Sequence, residues 1–347
     1  MRAMSKPCRR LIAVSLGSRT TVEAQAALAE VARQADVAEL RLDLMAECDL
    51  PRLLRNRPCP VVVTNRPERA GGRFRGGEAE RVRPLLEAID LGAEYVDVEH
   101  DATHLIPDRK QTGLVVSYHD FEQMPGDFLQ IHRDLAAGGA DVVKVVGTAR
   151  RIQDNLPVLD ALARSQHPTI AIAMGEAGLI SRVLALRYDT CFLTYAALDR
   201  RECVAPGQLP VATMREVYQA EKIGAQTAIY GVLSAEGVSD ALLASLNAAT
   251  RSAGLDGVWV PFVAPGQCGD GPAEVLQAYR GLGIAGYVVA ESAQLAALPA
   301  LDDVALAGPG DRISAVYAAS GRLVGTWAPT LSEAFALITG IAAALAT

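Results

Sequence analysis

Short apolar runs recur along the first two-thirds of the chain, separated by longer stretches in which Ala, Leu and charged residues alternate at helical spacing. Eight of these runs read as strands: Leu11–Leu16, Val37–Leu44, Val61–Thr64, Tyr95–Val98, Leu114–Tyr118, Val142–Val146, Thr169–Met174 and Cys191–Tyr195. Most are rich in Val, Ile or Leu, and Gly and Pro punctuate the joins. A strand that is apolar on both faces belongs in a sheet covered on both sides, and a helical stretch after each strand makes neighbouring strands parallel. Eight such units predict an α/β fold, a (β/α)8 barrel over residues 1–220. A doubly wound sheet is the competing architecture. Leu16-Gly17-Ser18-Arg19 after the first strand lacks the Gly-rich nucleotide turn that would favour it.

The pattern then restarts. Runs at Ala228–Leu233, Val258–Val263, Gly286–Ala290 and Ile313–Ala318 alternate with amphipathic segments such as Asp240–Ala253 and Ala273–Arg280. An Ala-rich helix is predicted over Ser332–Leu345. A smaller α/β domain over residues 225–347 follows, joined by a short linker around Gly224.

Composition narrows the chemistry. Of 347 residues, half are hydrophobic and 21% charged, which describes a globular chain. The net charge of −7 gives no reason to expect a nucleic-acid partner. The basic start (Arg2, Lys6, Arg9, Arg10) leads into an apolar run too short for a signal-peptide core or a membrane helix, so no membrane partner and a cytoplasmic location are expected. Six cysteines, Cys8 and Cys268 among them, show no C-x-x-C pair, which favours reduced thiols over a metal site or a disulfide framework.

Lysine is scarce: Lys6, Lys110, Lys144 and Lys222 are the only four. Lys144 stands among four valines, Val142-Val143-Lys144-Val145-Val146. Burial there would disfavour the ammonium and favour a neutral amine, a nucleophile for carbonyls. A lysine snorkelling from the strand end or paired with an acid is the plainer reading. His119 lies at the matching end of the preceding strand, and a Lys and a His facing one cavity suit Schiff-base formation with proton transfer. Arg41, Arg66 and Arg182 are placed to clamp a carboxylate and hydroxyls, or to form surface salt bridges. Glu39 can hold Arg41 or a substrate hydroxyl, and Gln208 can reach the site or brace its own loop.

Ordered along the chain are Glu39-x-Arg41, Thr64-x-Arg66 before Gly71-Gly72, Tyr95-Val96-Asp97-Val98-Glu99, Ser117-Tyr118-His119-Asp120-Phe121, Asp141-Val142-Val143-Lys144, Met174-Gly175 with Ser181-Arg182, and Ala205-Pro206-Gly207-Gln208. In this set the first domain resembles type I 3-dehydroquinate dehydratase, a Schiff-base enzyme of the shikimate pathway. The resemblance implies conversion of 3-dehydroquinate to 3-dehydroshikimate with no metal or diffusible cofactor, and a homodimer is expected. It implies an imine on Lys144, proton transfer by His119, hydroxyl binding by Glu39, Arg41 and Arg66, carboxylate binding by Arg182, and closure over the substrate by Gln208. Two positions depart from the family pattern. Ala70 stands where the family has an acid near its histidine, with Glu68 or Glu78 as possible substitutes. Val204 stands where a small hydroxyl residue is usual.

The second domain resembles, at fewer positions, the substrate-binding half of shikimate dehydrogenase, through Ala228-Ile229-Tyr230-Gly231-Val232-Leu233-Ser234, Val258-Trp259-Val260-Pro261-Phe262, Gly283-Ile284-Ala285-Gly286 and Gly321-Arg322-Leu323-Val324-Gly325. The lysine which that family uses is replaced within Val288–Gln294, its Asn-Thr-Asp reads Thr326-Trp327-Ala328, and no G-x-G-x-x-G turn follows. This domain is therefore expected to be non-catalytic. Two rival readings stay open: a non-catalytic ligand-binding or scaffold protein derived from such a fusion, and another lysine-dependent barrel lyase such as an aldolase.

Overall fold

A computed structural model describes residues 10–199, 203–266 and 269–346, with side chains through residue 340. Lys6, Cys8 and Cys268, named above, lie outside the described residues. The chain divides into two compact units. One holds the described residues up to Arg150 together with Pro157–Met214. The other holds Arg151–Leu156 together with the chain from Arg215.

The first unit is an eight-stranded parallel barrel. Its strands are β1 (Leu11–Leu16), β2 (Val37–Arg41), β3 (Val61–Thr64), β4 (Tyr95–Glu99), β5 (Gly113–His119), β6 (Val142–Thr148), β7 (Thr169–Met174) and β8 (Leu193–Ala196). They pair in the order β7-β6-β5-β4-β3-β2-β1-β8. A parallel bridge between Thr169 and Cys191 joins the two ends. Around the sheet lie α1 (Thr21–Gln34), α2 (Leu50–Leu54), α3 (Glu78–Asp90), α4 (Phe128–Ala137), α5 (Leu156–Arg164), α6 (Leu179–Leu184) and α7 (Val211–Glu216). Local chemistry explains the starts of several. Thr20 and Glu23 form a reciprocal capping box on α1, and the Asp49 carboxylate accepts from Arg52 N at the start of α2.

The barrel is filled rather than hollow. Ala13, Val37, Val62, Val115, Val142 and Ile170 form one buried cluster with Phe192 and Leu193. Each large aliphatic side chain fully removed from water contributes about 1.5–3 kcal/mol. Two details differ from the sequence reading. The second strand ends at Arg41, and Leu42–Leu44 is a 3-10 turn that swings Asp43 back toward Arg41. The β4–β5 crossover is a 3-10 segment, His100–Leu105, rather than an α-helix.

The second unit is a six-stranded mixed sheet ordered β10-β9-β11-β13-β14-β12. Its elements are β9 (Ala228–Ser234), α8 (Asp240–Ser252), β10 (Gly257–Val263), α9 (Pro272–Tyr279), β11 (Ile284–Val289), β12 (Asp303–Leu306), β13 (Ala315–Ala319), β14 (Arg322–Thr326) and α10 (Leu331–Ala346). β9, β10 and β11 are parallel neighbours, whereas β13 runs antiparallel to both β11 and β14. Trp259 is fully buried, stacks on Tyr230 and donates its indole N–H to Thr250. Among the described residues, no helix is long and apolar enough to cross a membrane.

Candidate active site

In a parallel barrel, side chains near the C-terminal ends of the strands point into the mouth. Here Glu39, Arg41, Arg66, His119, Lys144, Arg182 and Gln208 all line one pocket, together with Ser15, Ala70, Phe121, Tyr195 and Val204. Counted out to its open mouth, the space is about 540 Å³, the scale of a small-molecule site. Sheet register does part of the assembly: Ser15 lies opposite Glu39, and Ser117 opposite Lys144.

Lys144, on β6, is 4% exposed. Its setting is not the bare apolar one that its valine neighbours suggest. Nζ donates to Asp97 Oδ2 at 2.8 Å, Tyr195 OH at 3.2 Å and Glu39 Oε1 at 3.3 Å. The valines flank it along the strand, while its partners come from β4, β8 and β2. Glu39 also accepts from Ser15 Oγ at 2.5 Å, from Thr64 Oγ1 at 3.0 Å and from Tyr195 OH at 3.1 Å. Burial alone would raise the Glu39 carboxyl, but Lys144 and then Arg41 hold it below its ordinary value.

Arg66 is held from all sides. Its Nη1 donates to Glu99 Oε1 at 2.6 Å and Ser117 Oγ at 2.7 Å, and its Nη2 to Asp97 Oδ2 at 2.7 Å. Ser117 Oγ in turn donates to Asp97 Oδ1 at 2.6 Å. Burial would raise Asp97, yet the Arg66 guanidinium and the Lys144 ammonium hold it well below the usual carboxylate range. The structure thus gives Arg66 a neutralising task that the sequence reading, which placed it on substrate hydroxyls, did not include. Arg41 is partly committed too, in a bidentate pair with Asp43 at 2.8 and 2.9 Å.

His119, at the end of β5, is half-buried and stacks on Phe121, with ring centroids 5.9 Å apart and planes 12° apart. Its Nδ1 is buried and has no hydrogen-bond partner among the described residues. Burial first, then Arg66 and Lys144, push its pKa well below the ordinary 6.5, favouring a neutral ring. Neither Glu68 nor Glu78 is among the residues that line the pocket with His119. Glu68 pairs with Arg75, and Glu78 with Arg69 and Arg81. Ala70 lines the pocket. Gly71, at φ +72, leaves room for the Phe121 ring: a Cβ there would fall 2.1 Å from Phe121 Cζ.

Arg182, on α6, is 1% exposed and has no carboxylate partner among the described residues. Nη1 reaches the Tyr195 carbonyl at 3.4 Å, Nη2 reaches the Pro206 carbonyl at 3.2 Å, and Nε has no partner. Burial lowers its pKa to about 10. A buried guanidinium with so little compensation calls for an anion. The Pro206 loop packs on Gly175, where a Cβ on Gly207 would fall 2.2 Å from the Gly175 carbonyl. Gln208 Oε1 accepts from Val204 N and Ala205 N at 3.1 and 3.3 Å, so it braces this loop while lining the pocket.

The sequence reading did not name Asp97 or Tyr195 as site residues. The signal for Asp97 was present: Asp97 and Glu99 alternate with valines on a strand whose other residues are apolar, and both are buried. Among the described residues, no cluster of three or more His, Cys, Asp or Glu side chains is placed to hold a metal ion.

Comparison with known proteins gives the family. The family model for type I 3-dehydroquinase matches residues 12–225. A 3-dehydroquinate dehydratase of Methanopyrus kandleri is 36% identical over 217 residues, 60% of this chain and 99% of that protein. The chain belongs to the type I 3-dehydroquinase family. The chloroplastic bifunctional 3-dehydroquinate dehydratase/shikimate dehydrogenase of Arabidopsis thaliana is 32% identical over 282 residues, so the similarity reaches past the dehydroquinase barrel to 78% of this chain. This chain spans 46% of that relative's length. The solved dehydroquinate dehydratase and shikimate dehydrogenase from S. pombe AroM shares the fold, with a TM-score of 0.51 at 21% identity, covering 93% of this chain and 65% of that one.

Proposed function

We propose that this dehydroquinase-family chain dehydrates 3-dehydroquinate to 3-dehydroshikimate through an imine on Lys144. The observation that carries this reading is one pocket in which a buried lysine, a histidine whose Nδ1 has no partner among the described residues and a buried arginine without a carboxylate partner among them meet. In the proposed sequence, the Lys144 amine adds to the C3 ketone and water leaves to give an iminium. The iminium withdraws electrons and acidifies the C2 hydrogen. His119, neutral in the free protein, removes that proton and later protonates the departing C1 hydroxyl. Arg182 holds the substrate carboxylate. Glu39, Arg41 and Gln208 bind the hydroxyls and close the mouth. Arg66 acts through Asp97 and Glu99 as much as on substrate. The second unit carries no assigned step.

Borohydride reduction in the presence of 3-dehydroquinate, followed by peptide mass mapping, tests this reading. A stable adduct on Lys144 is expected. No adduct, together with no product absorbance, overturns it.

A further inference from the structure

Tyr195, on β8, is 4% exposed and packed in the barrel core, so its hydroxyl is held in place. Lys144 Nζ lies 4.7 Å from the ring centroid and donates to the phenol oxygen at 3.2 Å. The phenol donates onward to Glu39 Oε1 at 3.1 Å. The hydroxyl is therefore the middle member of a chain from amine to carboxylate. We propose that Tyr195 is a further catalytic residue of this site, relaying a proton between Lys144 Nζ and Glu39 as the imine forms and breaks down.

The other neighbours of Nζ are less suited to the task. Asp97 Oδ2, at 2.8 Å, already accepts from Arg66, and Asp97 Oδ1 accepts from Ser117, so protonating Asp97 would break an arginine network. Glu39 Oε1 is the longest of the three contacts from Nζ, at 3.3 Å. Tyr195 touches the amine and also lines the pocket, so it stays within reach as Nζ turns toward a bound ketone. Burial, followed by Glu39 and Asp97, keeps the phenol protonated, so it passes a proton on without becoming an anion.

The step balances as follows. The ammonium gives one proton to the phenol oxygen while the phenol proton moves to the Glu39 carboxylate, leaving a neutral amine, a neutral phenol and a carboxylic acid. The amine lone pair forms the N–C3 bond, and the carbonyl π pair moves to oxygen. Proton transfer from nitrogen to that oxygen gives the neutral carbinolamine. The proton on Glu39 then returns through the phenol to the carbinolamine oxygen. The C–O bond breaks, water leaves with that electron pair, and iminium and carboxylate remain. No oxidant or further reactant is needed.

This proposal rests on the Schiff-base reading of Lys144, and the test separates the two. Rapid-quench borohydride trapping with 3-dehydroquinate compares the wild-type chain and Tyr195→Phe across pH. The Phe ring preserves the packing and the cation–π contact and removes only the relay. Imine formation is expected to slow roughly 100-fold near neutral pH, with KM little changed. The deficit shrinks as pH rises, because hydroxide takes over deprotonation of the amine. A variant that traps as fast as wild type, or a deficit equal at every pH, overturns the relay. Wild-type protein that fails to trap overturns the Schiff-base reading itself. Tyr195 replaced by 3,5-difluorotyrosine keeps the shape and acidifies the hydroxyl. It should move the pH dependence of trapping to lower pH, and an unmoved profile overturns the relay even if the Phe variant fails to fold.

Discussion

Arg182 and His119 are the two pocket residues whose polar atoms are least satisfied, and this has measurable consequences. Arg182 is buried with an unpartnered Nε and no carboxylate partner among the described residues. Replacing it with Met removes a charge that the free protein compensates poorly, so the urea midpoint should not fall. The same change removes charge-assisted bonds to a substrate carboxylate worth about 1.5–3 kcal/mol, a loss of roughly 10- to 150-fold in kcat/KM. A large stability loss without a kinetic effect would assign Arg182 to packing. His119 yields a pH prediction. Burial, Arg66 and Lys144 all disfavour its protonation, so the neutral base persists as pH falls below 6.5. The acid limb of kcat/KM should therefore lie below 6.5. A limb above that value, absent in a His119→Asn control, contradicts the assignment.

At the scale of elements, the loop after β8 depends on one close approach. Gly207 has φ +73 and lies against the Gly175 carbonyl. Alanine there must change both the dihedral and the contact, displacing the Pro206 carbonyl from Arg182 and Gln208 from the mouth. Gly207→Ala should cost about 1–3 kcal/mol in denaturant unfolding and raise KM more than it lowers kcat. The elements of the barrel were legible because β3 and β7 are nearly continuous apolar runs, and β1 and β6 are apolar apart from single polar residues such as Ser15 and Lys144, as a covered parallel sheet requires. Two strands of the second unit were not. β12 has all four residues exposed at a sheet edge, so no buried face imposes a pattern on it. β14 is five residues long with Gly325 inside it, and Leu301 packs where a Cβ would stand. The end of β2 was misread because Leu42-Asp43-Leu44 continues the apolar alternation, while the Asp43 carboxylate, by accepting from Arg66 N and Arg73 N, belongs to a turn.

At the scale of the whole molecule, the fused second unit sets the expectation for the full chain. It has the fold of a mixed sheet with helices, yet it contains no lysine among residues 223–347, and Glu291–Ala293 forms a 3-10 turn after β11 where the resemblance implies one. Adding shikimate and NADP to the full chain should give no reduced nicotinamide. Turnover would show that another residue replaces that lysine.

Sequence alone determined the barrel class and made Lys144, His119, Arg182 and their companions candidates for one mouth, because strand periodicity and position after a strand are local properties that survive without coordinates. The state of those residues was decided elsewhere. The partners of Lys144 lie 47, 51 and 105 residues away in the chain. Its contact with Asp97 requires the β4–β5–β6 register, and its contacts with Glu39 and Tyr195 require β2 and β8 to come round as the barrel closes. Whether a buried lysine is bare or held, and whether an arginine is free or already spent on two acids, depends on which charges closure brings within 3–4 Å. No local pattern carries that distance.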